Sequence, residues 1–524
     1  MLHSRYRGLK CRGAARLDSL RPVRNRLTGH SRLGLGALAL AALIVAAAGM
    51  GAWAGKVSDA KTGDGQAAVV ALVDAGQFKQ AESRIASALA DKTLDAPTRS
   101  ALEFQRERMR RILIDFTLSE DDAKARVRKQ IPDLKDEEFA SWDAAGLLEH
   151  QTIDGRKLYF SRAPSNLFRL SAEARARRAE QTPFNDSPLE KPHPHHSEVR
   201  QQALATGKSS VAPHTVRVTQ SISVDADAVP SGETVRAWVP YPRAIAGQQE
   251  NIRFIESRPA RHEIAPESTL QRTVYLEKAA EAGKKTEFSI TYELDIYARY
   301  QVIDPDKVVP VKPTPELAPY LGERPPHIVF TDDMRKFSRE VVGDEKNPYL
   351  IAKKLYAAVD RIPWAGAREY STITNISDYA LHAGHGDCGQ VTLLLMTLLR
   401  LNGIPAHWQS GMIFSDGKYN NLHDWGLMYL DPYGWVPVDV SFGKLPDAPA
   451  DLQDFYFGGF DAYRIAFNDD YSRDFVPKKE FFRSETVDLQ RGEVEWKGGN
   501  LYFDRWDYDF NWKVLPRGAA KDTQ

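Results

Sequence analysis

The spacing of apolar positions changes several times along the chain, and each change marks an expected element. From Leu33 to Ala54 almost every residue is apolar or Gly. Between 66 and 115 the spacing is helical. Val69, Val70, Leu72 and Val73, continued by Phe78, Ala81 and Ile85 after Asp74-Ala75-Gly76, make one stripe; Leu102, Gln105, Met109, Ile112 and Leu113 make a second. Recurrence at i, i+3, i+4 and i+7 predicts two amphipathic helices. Residues 118–170 read as a small mixed segment, with a helix opening at Ser119 and short strands around Ile153 and Leu158-Tyr159-Phe160 on either side of Gly155. A polar, Arg-rich helix is expected over 172–181, ending at Pro183. From 214 to 300 the period drops to two: Val216, Val218, Ile222 and Val224, then Val235, Ala237 and Val239, then Phe288, Ile290 and Tyr292. With turn residues such as Pro230-Ser-Gly between the runs, this predicts an antiparallel β-sandwich. Residues 391–401 are apolar on nearly every side, as in a helix buried in the middle of a domain.

The remaining segments are read as connections. Pro183, Pro188, Pro192 and Pro194 make 182–213 a linker. Its His193, His195 and His196 read better as a solvated tract than as a metal site, because no acidic or thiol group nearby completes one. Residues 301–344 are Pro-rich and expected to run extended, and 481–524 to pack on the domain before them. The chain is thus α+β and multidomain: a leader (1–56), a helical and mixed region (57–181), the linker, the sandwich (214–300), the extended connection, a core (345–480) and a C-terminal extension.

Composition narrows the function. In 524 residues, 42% are hydrophobic and 27% charged, which is ordinary globular chemistry. Lys+Arg and Asp+Glu both total 70, so no global basic field exists to hold nucleic acid. Two cysteines, Cys11 and Cys388, exclude a disulfide scaffold. The first 32 residues carry nine Lys/Arg against one acid, Asp18, directly before the apolar run. That order reads as an export signal ending near Ala52-Trp53-Ala54, or as a single membrane anchor at 33–54. The expected location is exported: periplasmic, or anchored and facing the periplasm.

The candidate chemistry lies in His382-Ala-Gly-His385-Gly386-Asp387-Cys388-Gly389-Gln390 and in the segment 422–439 downstream. Asp387 is a good helix N-cap, and Asn402-Gly403 with Pro405 beyond is a good stop, so a helix is expected over 388–402. Cys388 then occupies its first position, where unsatisfied N–H groups and the positive end of the dipole favour a thiolate. Gly386 and Gly389 leave room for a substrate. A nucleophile needs a base. Leu422-His423-Asp424-Trp425 and Trp435-Val-Pro-Val-Asp439 flank a turn at Asp431-Pro-Tyr-Gly434. A type I turn with a Gly bulge pairs Asp431 with Trp435, and so Leu427 with Asp439. His423 and Asp439 then share a face but stand four residues apart, roughly 13 Å at about 3.4 Å per residue. A bulge near Pro437 or strong twist must close the gap. The rival reading, a metal held by His382, His385, Cys388 and His423, is weakened by Gly384 and Gly386 and leaves Asp439 without a role; no metal and no cofactor are expected.

Gly386-Asp-Cys388-Gly, the buried helix, Asn402-Gly-Ile-Pro-Ala, Leu422-His423-Asp-Trp and Gly434-Trp-Val-Pro-Val-Asp439 together resemble the transglutaminase-like superfamily over about 345–475. Tyr370-Ser-Thr-Ile, Trp408-Gln-Ser-Gly and Arg464 to Asn468-Asp-Asp resemble an exported bacterial branch of it. The resemblance implies a papain-like core with a Cys388 thiolate, His423 as acid/base and Asp439 as the orienting carboxylate. It also implies a second oxyanion donor upstream, with Trp364 and Tyr370 as candidates and Gln390, Trp425 and Arg464 as further cleft residues. Trp408, Trp435 and Tyr463 are either cleft or core. The calcium sites of animal transglutaminases are not recognisable. The function implied is acyl transfer on peptide or protein amides, such as cell-envelope peptides, through a thioester, with hydrolysis favoured over transamidation. The alternative is a non-catalytic envelope-binding protein on the same scaffold.

Overall fold

The computed structural model describes residues 65–516. The basic leader, the apolar run at 33–54 and Cys11 lie outside the described residues. Among those described, no helix is long and apolar enough to cross a membrane.

The described residues fall into two compact units, 65–106 and 107–516. In the smaller, a helix over 65–74 is followed by Phe78–Leu89 and by the start of Ala96–Asp115. The first stripe was expected to be one helix. It breaks because Gly76 takes φ +70°, the left-handed backbone that ends helices.

The larger unit opens with a three-stranded antiparallel sheet, Phe116–Leu118 (β1), His150–Ile153 (β2) and Arg156–Phe160 (β3), in the order β1-β3-β2. The helix Ala163–Leu170 (α1) follows. This region grips the loop at 366–372. The Asn166 amide donates to Gly366 O and accepts from Gly366 N, both at 2.9 Å. Arg108 donates to Thr372 O at 2.9 Å, and Asp115 accepts from Glu369 N at 2.9 Å. The polar helix expected over 172–181 is confined to Ala172–Ala176.

The expected linker is not a solvated tract. Pro194–Thr206 (α2) is a helix with Pro at its first position, the one helical site where a missing N–H costs nothing. His193 caps it, accepting from His195 N at 3.2 Å. His195 and His196 are buried: His195 Nε2 accepts from Ala462 N at 3.1 Å, and His196 Nε2 meets the Tyr456 hydroxyl at 3.0 Å.

The sandwich strands are Ser210–Val224 (β4), Thr234–Pro240 (β5), Gln249–Arg258 (β6), His262–Ile264 (β7), Thr273–Ala279 (β8) and Thr286–Tyr300 (β9). The long β4–β9 ladder sets Val218 beside Tyr292 and Ile222 beside Phe288, so the predicted period-two face is the buried one. Part of the connection expected to be extended is helical. Asp332–Val342 (α3) starts on a Thr331 cap and two acids, which suit a helix N-terminus, and buries Met334 and Val342.

The core follows: helices Pro348–Val359 (α4), Ile376–Ala383 (α5) and Cys388–Leu401 (α6), then strands Ala406–Phe414 (β10), Asn420–Leu430 (β11), Gly434–Val438 (β12), Gly459–Phe460 (β13) and Arg464–Asn468 (β14). Four of these form a sheet in the order β12-β11-β10-β14. This sheet separates two apolar cores. Leu394, Leu398, Trp408, Met428 and Val436 lie with the helices; Trp425, Leu427, Ile465 and Phe467 lie with the sandwich.

The C-terminal extension does more than pack on the core. Glu493–Trp496 (β15), Gly499–Leu501 (β16) and Trp506–Leu515 (β17) complete the sandwich: β15 pairs with β5, and β17 runs along β4 from Trp506↔Val224 to Leu515↔Thr215. Without them both sandwich sheets would expose open edges, which pair readily with other chains.

Two measurements test the packing of the larger unit. Truncation before Trp506 should expose the β4 edge and remove the buried Trp506 and Phe510; scanning calorimetry should show loss of the cooperative transition, with aggregation. Burial, and then the Glu369 carboxylate, push the Asp115 carboxyl up to about 7 from 3.8. Between these values the folded chain holds a proton that the unfolded chain releases, so this group's contribution to stability falls as pH rises through that window. Asp115→Asn should flatten that decline, read as a melting-temperature advantage over wild type that grows from pH 4 to pH 7.

Candidate active site

Helix α6 begins at Cys388 as expected. Asp387 caps it, accepting from Gln390 N at 3.0 Å, while Gln390 Oε1 accepts from Asp387 N at 3.2 Å, a reciprocal capping box. That commits the Gln390 carbonyl oxygen to the cap; its Nε2 is buried without a hydrogen-bond partner. Burial pushes the Asp387 carboxyl up to about 6, against the hydrogen bonds from Gln390 N and Tyr370.

The space at Gly389 is filled by protein. A Cβ there would meet the Tyr370 hydroxyl at 2.0 Å, so only Gly lets the tyrosine lie across the helix start. From there Tyr370 donates to Asp387 Oδ1 at 2.7 Å. Trp364 pairs by its backbone with Gly386 and keeps its indole N–H buried and unpartnered. Both upstream candidates therefore adjoin the segment 386–389.

The hairpin register differs from the expected one. Leu430 pairs with Gly434, which leaves a loop of Asp431, Pro432 and Tyr433 and places Asp439 opposite Trp425 rather than Leu427. His423 and Asp439 keep the same face but stand two residues apart along the ladder. Side chains span that without a bulge: His423 Nε2 meets Asp439 Oδ2 at 2.8 Å. Asp439 also accepts from Arg464 Nη1 at 2.9 Å and from Ser441 N and Phe442 N at 3.1 and 3.0 Å. Burial works to raise its pKa, but His423, Arg464 and the backbone donors together hold it well below the usual carboxylate range. Arg464 bonds Asp461 as well, so both of its partners are structural acids and it presents no free face to a substrate carboxylate.

The sulfur has a carboxyl neighbour that the sequence pattern did not single out. Cys388 Sγ donates to Asp424 Oδ2 at 3.2 Å. Successive strand residues point to opposite faces, and the β10–β11 ladder runs unbroken from Ala406↔Met428 to Phe414↔Asn420. Asp424 shares its face with Gly426, where a Cβ would meet the α6 side chain of Met396 at 2.6 Å. His423 belongs to the other face, its ring 4.6 Å from Phe442 and 5.8 Å from Trp425. Its Nε2 is engaged by Asp439, and its Nδ1 is buried without a hydrogen-bond partner. The sulfur thus meets Asp424 while His423 meets Asp439, and α6 packs on the even-numbered face of β11.

Two residues from the C-terminal extension complete the surroundings of the sulfur. Gln490 Nε2 donates to His423 O at 2.9 Å and to Asp424 Oδ1 at 3.1 Å. The Asp488 carboxyl adjoins that of Asp424, and each adds negative charge to the other's surroundings. Burial, then the Asp387 carboxylate, raise Asp424 above the ordinary carboxylate range; burial, then Asp424 and Glu485, do the same for Asp488. Cys388, Asp424 and His423 are 1%, 2% and 0% exposed, so the site is closed in this state. Sequence reading missed Asp424 as the sulfur's neighbour. Gly426 carried the signal, since a mid-strand Gly marks close approach of another element on that parity.

The other candidates scatter. Trp408 and Trp425 are buried on opposite sides of the core sheet, and Tyr463 donates to Asp416 at 2.8 Å, so these aromatics form no single cleft. Trp435 stands with Tyr320, their rings 5.1 Å apart. His382 meets Asp333 at 3.3 Å, and His385 meets the carbonyl of Ala383 at 3.0 Å. Among the described residues no group of three or more His, Cys, Asp or Glu is arranged to hold a metal ion.

Comparison with known proteins finds a family match over part of the chain. Residues 335–440 match the transglutaminase-like superfamily. No curated protein matches the chain. Solved structures similar to it include one from Cytophaga hutchinsonii described as a candidate cysteine protease, 15% identical, covering 59% of this chain and 92% of that one with a TM-score of 0.38. Another is the periplasmic domain of TgpA from Pseudomonas aeruginosa bound to ethylmercury, 13% identical, covering 49% of this chain and 97% of that one with a TM-score of 0.23. The helix-start cysteine, the buried helix and the His–Asp hairpin lie within or at the edge of the matched segment, and the chain carries a transglutaminase-like domain at 335–440.

Proposed function

We propose that the chain is an exported, cysteine-dependent acyl-transfer enzyme. Cys388 attacks the carbonyl carbon of a peptide or protein amide, an amine leaves, and a thioester forms. Water or a second amine then takes the acyl group; hydrolysis is the favoured outcome, because it needs no second binding site. The observation that carries this reading is the placement of the thiol at the first position of a capped, buried helix, where unsatisfied backbone N–H groups favour a thiolate. A thiol kept only for packing has no need of that place. Export rests on the basic start and apolar run, and makes envelope peptides the natural substrate class.

For substrate to reach the sulfur, Tyr370 or the segment 484–491 must move. The same closure favours a second reading, a non-catalytic envelope protein that keeps the scaffold. In a mass-spectrometric comparison of envelope-peptide digests, wild-type chain should produce cleaved or transamidated peptides, and Cys388→Ala should lower their rate at least about 10³-fold, as loss of a nucleophile does. Equal processing by both would leave the scaffold reading.

A further inference from the structure

The acid/base that the family resemblance implies, His423, depends on a carboxylate that must stay ionised in a dry interior. His423 Nε2 meets Asp439 Oδ2 at 2.8 Å, and both side chains are fully buried. A neutral imidazole gives that carboxylate a hydrogen bond but no counter-charge, and a buried carboxylate without one tends to take up a proton. We propose that Arg464 is a positioning residue of the reaction: a permanent counter-ion that keeps Asp439 ionised and its Oδ2 on His423 Nε2, so that Nδ1 stays the basic nitrogen. The proposal rests on the reading of Cys388 as the nucleophile, served by His423 and Asp439.

Three observations support it. First, Asp439 is occupied on both oxygens. Oδ2 accepts from His423 Nε2 and from Arg464 Nη1 at 2.9 Å, and Oδ1 accepts from Ser441 N and Phe442 N at 3.1 and 3.0 Å. An ionised carboxylate only accepts, so a neutral imidazole must carry its proton on Nε2. The lone pair then lies on Nδ1, which is buried and has no hydrogen-bond partner.

Second, Arg464 is built in rather than offered to a ligand. Its Nε and Nη2 donate to Asp461 Oδ2 at 3.2 and 2.5 Å. Its guanidinium carbon lies 5.0 Å from the Trp425 ring, 5.3 Å from Phe442 and 4.6 Å from Phe460. Trp425 and Phe442 also flank the His423 ring, so the same two aromatics wall both groups. A buried ion pair of this kind gives little stability over apolar side chains of the same volume. What it supplies here is a fixed charge.

Third, the charges favour proton uptake by the imidazole. One guanidinium faces two carboxylates, Asp439 and Asp461, so the set is neutral only when His423 is protonated. The other titratable groups packed against it carry no charge near neutral pH. Burial, then Asp461, keep the Tyr456 hydroxyl protonated, and burial keeps His195 and His196 of α2 neutral, His196 down to about 3. Asp424, next along β11, faces the helix side beside Cys388. Arg464 itself gives and takes no proton.

The test is an NMR titration of the His423 ring in the full chain, isotope-labelled at histidine Cε1, with the resonance assigned by its loss in His423→Gln. Arg464→Gln, Arg464→Lys and Asp461→Asn are compared with wild type, and thermal unfolding shows that each is folded. Removing the cation favours the imidazolium, so Arg464→Gln should raise the midpoint by at least about half a pH unit. Removing the second acid leaves Arg464 less compensated, so Asp461→Asn should lower it by a similar amount. Arg464→Gln strands two buried carboxylates; if it does not fold, Asp461→Asn, which strands none, carries the test. Arg464→Lys keeps the charge without the fork and should match the wild-type midpoint. On a peptide that wild type cleaves in the envelope-peptide digest, Arg464→Gln should lower kcat at least about tenfold and leave KM within about twofold, with part of kcat recovered in Arg464→Lys. A merely structural role would not move the two midpoints in opposite directions. Midpoints that stay at the wild-type value or move together, or a loss confined to KM, overturn the assignment of Arg464 and leave Cys388 as nucleophile. Turnover of the same peptide by Cys388→Ala at the wild-type rate overturns the reading beneath it.

Discussion

Alternation of side chains along one strand governs the chemistry of this molecule. Strand β11 serves two cores at once: its even-numbered side chains meet the helices and its odd-numbered ones meet the sandwich. Helix α6 approaches closely enough that Gly426 has no room for a Cβ, and that approach brings Asp424 to the sulfur. The thiol therefore lies among carboxyl groups, Asp424, Asp387 and Asp488. The imidazole of His423 lies against a carboxylate that is itself neutralised by Arg464. A single residue of register separates two very different electrostatic settings.

Regions outside the family segment converge on the same point. From upstream, Asn166, Arg108 and Asp115 fix the loop that lays Tyr370 over Gly389. From downstream, Arg491 ties Glu485 to Glu369, and Gln490 spans the backbone of His423 and the carboxyl of Asp424. Strands β15 and β17 return the C-terminal chain to the sandwich and so hold 484–491 in place. The extra regions thus position and cover the cysteine site, and a truncated core would lack the two polar groups that adjoin the Asp424 carboxyl.

Much of this was legible in the sequence wherever local chemistry decides. The capped helix at Cys388, the period-two sandwich face and the shared face of His423 and Asp439 all follow from patterns within a few residues. What the sequence did not show depends on distant partners. The pairing across the turn at Asp431 differs by two residues from the expected one, because a Pro-containing loop admits more than one register. The tract at 193–196 reads as polar until Tyr456 and Ala462 supply buried partners for its imidazoles. The place of Asp424 is set by the packing of Met396 on Gly426, and Asp488 reaches the site from 64 positions further along the chain, so neither is visible in the local pattern.

The most direct test of the account is the sidedness of β11 at Cys388. In a Cys11→Ser background, Asp424→Cys and His423→Cys variants would be oxidised under native conditions and their disulfides mapped by mass spectrometry. A bridge from position 424 to Cys388, with none from position 423, is the predicted result. A bridge from 423 and none from 424 would put α6 on the odd-numbered face of β11 and contradict the account.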